Sequence, residues 1–352
     1  MNLQTNPTPS TARGPTRTPL NVIDHALCMA LSNPSFYRGG WGDPAVIDQV
    51  LAVATELPEP EHPAVRWIDL PETSGGITRM RGFFESPARE LPLPPASRAA
   101  YFELLLPEGS SPAVKPPVCL YLAATAEQGY TLRRRFAAPL VRRGIGALIL
   151  ENPYYGRRQP AAQRLAALDT VADQLIMNTA TVLEARALLR WLREDGFVHT
   201  GVSGFSMGGF MASYVAAFTE FPIALIPCLA GASASMAYSA FPFAHFPAWK
   251  SLGDPVEARR KLADLFDVFS IERYPLPAAP DLVQLVAARS DAVIVPENVR
   301  RLARHWGVPI RWIPGGHFSS VVRGRGQLHA AILDAFGMML ARDEALEVPR
   351  AS

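Results

Sequence analysis

Three cysteines in 352 residues, Cys28, Cys119 and Cys228, are too few and too scattered for a disulfide framework or a zinc knuckle. Cys119 and Cys228 each sit in an apolar run, which reads as a small buried hydrophobe in a reducing compartment. Charge is scarce too, at 19% of residues, and neither sign prevails: 34 basic against 32 acidic side chains leave a net +2. A nucleic-acid protein needs a concentrated basic face, so that class is set aside. No P-loop, HExxH, EF-hand or G-x-G-x-x-G run occurs, and no metal or nucleotide cofactor is expected. No internal repeat shows.

Residues 1–20 hold four prolines and five threonines with no apolar stretch, which reads as a disordered tail lacking the h-region of a secretory signal. The tail has no acid and carries Arg13 and Arg17, a pattern shared with organelle-targeting peptides, but the expected location is cytoplasmic. A membrane span is the next thing to weigh, because Phe221 to Trp249 contains no Asp, Glu, Lys or Arg. Pro222, Pro227, Pro242 and Pro247 interrupt it, and the longest proline-free piece, 228–241, falls short of the ~20 residues a crossing helix needs. It reads as a buried strand followed by an apolar flap.

What is present is a large apolar content, 49% of residues, enough for a sizeable core. After a helical region over 21–60, the runs 65–70, 77–85 and 99–106 are strand-like and separated by Pro, Gly and Ser, as in an antiparallel edge. From Val118 the pattern changes. The runs 118–123, 145–150, 198–202, 223–229, 282–288 and 308–313 are short and continuously apolar, and helical patterns alternate with them over 132–143, 176–191, 207–218 and 327–341. Such alternation predicts an α/β fold with a mostly parallel sheet covered on both faces. Residues 231–280 break the alternation and read as a lid or cap inserted into a single domain spanning 21–345.

Gly204-Phe205-Ser206-Met207-Gly208 lies between a strand and a helix, the setting of a G-x-S-x-G nucleophile elbow. There the serine sits on a strained turn with its hydroxyl above the sheet, and glycines are needed because a side chain would strike neighbouring backbone. The plainer reading is a serine that caps the next helix. An elbow predicts the chain order Ser, acid, His, each after a strand. His317, in Pro314-Gly315-Gly316-His317, follows the run 308–313, whereas His305 and His329 fall within helical stretches and read as surface residues. Asp291 follows the run 282–288; after 223–229 no carboxylate appears until Asp254. Ser206, Asp291 and His317 are therefore the expected nucleophile, orienting acid and base. The oxyanion hole should take the N–H of Met207 and a second from Ala124 or Thr125, after the run 118–123.

Several blocks together resemble the alpha/beta hydrolase domain-containing 18 family: Arg38-Gly39-Gly40-Trp41-Gly42, Glu151-Asn152-Pro153-Tyr154-Tyr155-Gly156-Arg157-Arg158, the serine block through Gly209, Leu225-Ile226-Pro227-Cys228-Leu229 and Gly315-Gly316-His317. The similarity runs from about residue 36 to 341. It implies an α/β-hydrolase fold and a serine hydrolase with Ser206, Asp291 and His317 on the triad positions. The loop Ala124-Thr125-Ala126 departs from a family pattern richer in glycine, and the interval between Leu229 and Leu282 is shorter than in larger members.

Asn152, Tyr154 and Tyr155 follow the run 145–150 and are expected to line the substrate pocket. Phe241 and Phe243, in the apolar flap, are expected to wall an acyl site. Arg133, Arg134, Arg135, Arg142 and Arg143 read as a solvated helix face, or as an attraction for an anionic headgroup with peripheral membrane contact. The expected function is hydrolysis of a small-molecule or lipid-like carboxylic ester through an acyl-serine. The alternatives are an amidase or thioesterase with the same triad, or a non-catalytic scaffold that binds a ligand or partner.

Overall fold

The computed structural model describes residues 24, 26–30, 33–110, 115–235 and 245–347. Its frame is a ten-stranded sheet of β1 (Arg66–Trp67), β2 (Glu72–Ser74), β3 (Ile77–Glu85), β4 (Ala99–Pro107), β5 (Val118–Leu122), β6 (Gly146–Leu150), β7 (Thr200–Phe205), β8 (Ala224–Cys228), β9 (Leu285–Ala288) and β10 (Ile310–Ile313). The spatial order is β1-β3-β4-β6-β5-β7-β8-β9-β10, with β2 paired to β3. Strands β1 to β4 form the antiparallel edge that the proline- and glycine-punctuated runs predict, and β5 to β10 are parallel to one another.

Side-chain alternation along fully buried strands feeds two cores. On one face Leu120, Leu122, Leu148, Leu150 and Val202 pack with α1 (Pro44–Thr55), α3 (Val171–Glu194) and α4 (Met207–Ala217). On the other face Cys119, Tyr121, Ile149, Ile226 and Val286 pack with α2 (Thr131–Val141) and α9 (Arg325–Glu347). All three cysteines are free thiols buried in these cores. The chain goes from β5 to β6 on one side, then to β7 on the other. The order thus reverses at β5, and an open α/β sheet forms its crevice at the carboxyl ends beside such a reversal.

Helix α3 starts earlier than apolar periodicity predicts. A capping box explains the difference: the Thr170 side chain accepts from the Asp173 N–H (3.1 Å), and Asp173 Oδ2 accepts from the Thr170 N–H (2.9 Å). Strand β7 extends to Phe205, farther than the run 198–202 suggests, because Ser203, Gly204 and Phe205 pair with Ile226, Pro227 and Cys228.

Within 231–280 the described residues hold α5 (Trp249–Leu252) and α6 (Pro255–Asp267). This segment is tied down at several points. Phe36 exchanges backbone bonds with Phe246 and Ala248 (Phe36 N to Phe246 O, 2.8 Å; Ala248 N to Phe36 O, 2.7 Å), and the Trp41 indole donates to Leu252 O (2.9 Å). The Arg-Gly-Gly-Trp-Gly patch also meets the start of α3 through Val171 N to Gly40 O (3.1 Å) and Ala172 N to Trp41 O (3.0 Å). Phe241 and Phe243 lie outside the described residues. Helices α7 (Pro296–Trp306) and α8 (Ser319–Arg323) follow, and residues 24 and 26–30 are helical as well. Among the described residues no helix is long and apolar enough to cross a membrane.

Candidate active site

Ser206 stands between β7 and α4 with φ 55° and ψ −118°, in a region that L-residues other than Gly rarely occupy. Its N–H donates to Cys228 O (2.9 Å), and its carbonyl accepts from Phe210 N (2.9 Å), so sheet and helix both fix the turn. The glycines answer to hard contacts. A Cβ on Gly204 would lie 2.4 Å from the Gly208 carbonyl carbon, and one on Gly208 2.4 Å from Leu122 O. The Ser206 side chain makes no cap bond to α4, so the capping reading fails.

His317 and Asp291 meet. They follow the adjacent strands β10 and β9, and His317 Nδ1 lies 2.8 Å from Asp291 Oδ2. Both are buried. Asp291 Oδ1 accepts from the N–H groups of Val293 and Ile294, both at 2.8 Å, which leaves Oδ2 aimed at the imidazole. Burial pulls the imidazole pKa down, but the Asp291 charge and hydrogen bond, with a smaller push from Asp24, leave it raised above the ordinary value. Asp254, the first carboxylate after β8, caps α6 by accepting from Val256 N (2.9 Å) and Glu257 N (3.1 Å). His329 is half-buried, with Nε2 2.9 Å from Phe136 O, and His305 is half-buried on α7; neither is the surface residue expected.

The loop after β5 corrects one expectation. The Ala124 N–H donates to Glu127 Oε2 (3.1 Å) and is committed there. Of the two candidates this leaves Thr125, which borders the cavity beside Ser206 and Met207. Glu127 is itself held by Arg133 Nε (2.8 Å), and the Arg133 guanidinium also donates to the carbonyls of Tyr121 (3.0 Å), Gly129 (2.8 Å) and Leu150. Arg133 is therefore a buried brace of the loop, neither a solvated residue nor a headgroup ligand. Arg134 pairs with buried Glu103 (2.5 and 2.8 Å), whereas Arg135, Arg142 and Arg143 are exposed, as a solvated face would have them, with Arg142 Nε donating to Gly75 O (2.8 Å).

The cavity beside Ser206 has a volume of about 60 Å³. Its walls are mostly apolar (Phe210, Phe266, Val293 and Ile294 among them), with Gln174 and Asn178 as a polar pair on α3 joined at 2.9 Å. Phe266 reaches the cavity from α6. Asn152, Tyr154 and Tyr155 do not line it. Asn152 is buried. The Tyr154 hydroxyl donates to Asp173 Oδ1 (3.0 Å), and its ring borders a separate cleft with Arg38 and Asp169. The Tyr155 hydroxyl accepts from Ala126 N (3.1 Å), supporting the β5 loop at a residue with φ 66°.

One residue was missed by sequence reasoning. Asp24, fully buried, accepts from the N–H groups of His317 (2.6 Å) and Phe318 (3.0 Å). Its partners lie 293 and 294 residues away, and no local pattern links them.

A parallel sheet reversed at β5, with a strained serine turn after β7 and an Asp–His pair after β9 and β10, defines the α/β-hydrolase class of fold. The chain belongs to the family described as alpha/beta hydrolase domain containing 18, which it matches over residues 34–259 and 249–338. It is 27% identical over 191 residues to an uncharacterised protein of Mycobacterium tuberculosis; the match covers 49% of this chain and 42% of that protein. The chain thus spans under half the length of the curated relative. Among solved structures it is similar to the acetyl xylan esterase from Paenibacillus sp. R4, with a TM-score of 0.56, 14% identity and coverage of 87% of this chain and 98% of that one. It is also similar to acetyl xylan esterase 1 from Thermoanaerobacterium sp. JW/SL YS485, with a TM-score of 0.53, 12% identity and coverage of 86% and 98%. At these identities the likeness is one of fold.

Proposed function

We propose that the protein is a serine hydrolase that cleaves carboxylic esters of short acids. The observation that carries this reading is Ser206 held at φ 55° on the sheet edge that also carries the hydrogen-bonded Asp291–His317 pair. In this reading Ser206 Oγ attacks the ester carbonyl while its proton passes to His317 Nε2, and Asp291 holds the Nδ1–H tautomer and stabilises the imidazolium. The oxyanion is received by the N–H of Met207, at the start of α4 where helix donors are unpaired, and by that of Thr125. His317 then gives its proton to the departing alcohol, and water hydrolyses the acyl-serine by the same route.

A short acyl group suits a cavity of about 60 Å³, well below the ~150 Å³ that takes benzene. A fluorophosphonate tests the chemistry: labelling of wild type at Ser206, absent in Ser206→Ala, is expected. No labelling of the folded wild type would sink the hydrolase reading in favour of a binding scaffold. Esters graded from acetyl to octanoyl test the substrate, with kcat/KM highest for the two- to four-carbon acids. A rise through octanoyl would overturn the short-acid assignment, and faster cleavage of matched amides would overturn the ester assignment.

A further inference from the structure

We propose that Asp24 is a second carboxylate of the hydrolytic site, a positioning residue that fixes the His317 backbone and joins Asp291 in holding the imidazolium formed when Ser206 is deprotonated. The inference rests on the serine-hydrolase reading.

The geometry is that of a clamp. One oxygen of Asp24 accepts from the N–H of His317 at 2.6 Å and the other from that of Phe318 at 3.0 Å, so a single side chain sets two successive peptide planes. Gly316 is shaped to admit it: a Cβ there would lie 2.2 Å from Asp24 Oδ2. The loop has other fastenings. Ser290 N donates to Gly315 O (3.0 Å), and Gly316 N to Ser319 Oγ (2.9 Å). None of these brings a charge. A neutral side chain could supply the acceptors, but the fold buries a carboxylate, which is expensive unless its charge is used.

The groups facing His317 are Asp291 from the loop after β9, Asp24 from the N-terminal helical residues, and the Phe318 ring, perpendicular to the imidazole with centroids 5.3 Å apart. Cys28 is near both carboxylates, and burial pushes its thiol up to about 12, so it stays neutral. Desolvation raises the Asp24 pKa while the two N–H bonds lower it, with a net rise. In the resting site Asp291 therefore meets His317 at Nδ1 and Asp24 meets it at the backbone N–H. When His317 takes the serine proton, the new positive charge is offset from the Nδ1 side and from the backbone side together.

The test is Asp24→Asn, which keeps the shape and removes the charge, with Asp24→Glu as the charge-keeping control. Two readouts are used. The first is the His317 imidazole titration by NMR, assigned through its loss in His317→Gln, which needs no turnover. The second is the acid limb of kcat/KM on a short ester. In Asp24→Asn both midpoints should fall by about one pH unit, and kcat/KM should drop about 10-fold with KM little changed. Asp24→Glu should restore the midpoint in part. If Asp24→Asn does not fold, Gly316→Ala, whose Cβ displaces the carboxylate, carries the same measurements. An unmoved imidazole midpoint in a folded variant overturns the proposal and makes Asp24 a loop cap only. Failure of wild type to label with a fluorophosphonate would instead fault the hydrolase reading, and the imidazole titration would still decide Asp24.

Discussion

At Ser206 a backbone angle bears on what the hydroxyl can do: the residue stands at φ 55°, and its side chain makes no cap bond to α4. Ser206→Ala should retain the wild-type melting profile and lose ester turnover by several orders of magnitude, which steady-state assays would register. Asp291→Asn should lose about 10⁴-fold, because the amide favours the wrong imidazole tautomer. Asp254→Asn should stay near wild type, since Asp254 caps α6. The raised His317 pKa fixes the sign of the pH response. The base must be neutral, so kcat/KM rises with pH through a midpoint above the ordinary imidazole value, and a profile flat down to pH 5 would exclude His317 as the base. Ser206, Asp291 and His317 were legible because each sits after an apolar strand run, and chain order selects among few candidates. Asp24 was not, because its partners are backbone N–H groups, which carry no residue identity.

Among the elements, the short parallel strands were readable to within a few residues, since fully buried strands show as unbroken apolar runs. The ends of α3 and β7 were less so. A Thr–Asp capping box starts α3 ahead of its apolar stripe, and β7 continues through a glycine that periodicity treats as a stop. Two arginines of the basic stretch were misread for a physical reason: arginines at helical spacing look alike whether they face water or a buried carboxylate, and Arg133 and Arg134 face Glu127 and Glu103. The Tyr-Tyr-Gly-Arg-Arg block shows the same limit. Its Arg158 is fully buried against Glu184 (2.5 and 2.7 Å), and Glu184 also accepts from Ser86 Oγ (2.6 Å). Glu184→Gln leaves a buried guanidinium without its counter-charge and should destabilise the protein by about 3–5 kcal/mol in urea unfolding. Loss of under 1 kcal/mol would mean that the surrounding carbonyls suffice. Tyr155→Phe removes the acceptor for the Ala126 N–H and should lower kcat more than it raises KM, because it loosens the loop that carries Thr125.

Across the whole molecule, the candidate site brings together Asp24 and His317, 293 positions apart in the chain. The fold was visible as alternating strands and helices, whereas the closure of the Asp24 segment on the loop after β10 was not, because long-range contacts leave no periodic trace. The three buried thiols turn that closure into a clock. Cys28 belongs to the same short N-terminal segment as Asp24, its thiol turned into the core, while Cys119 and Cys228 lie in β5 and β8 at the centre of the sheet. A maleimide can reach Cys28 whenever the segment lifts, but the other two only when the sheet comes apart. Alkylation of the native protein should therefore proceed in two phases, one thiol per chain reacting first and two much later, with urea accelerating the second phase more steeply. Under these conditions the early phase reports how often the Asp24 segment leaves the loop after β10, with no substrate present.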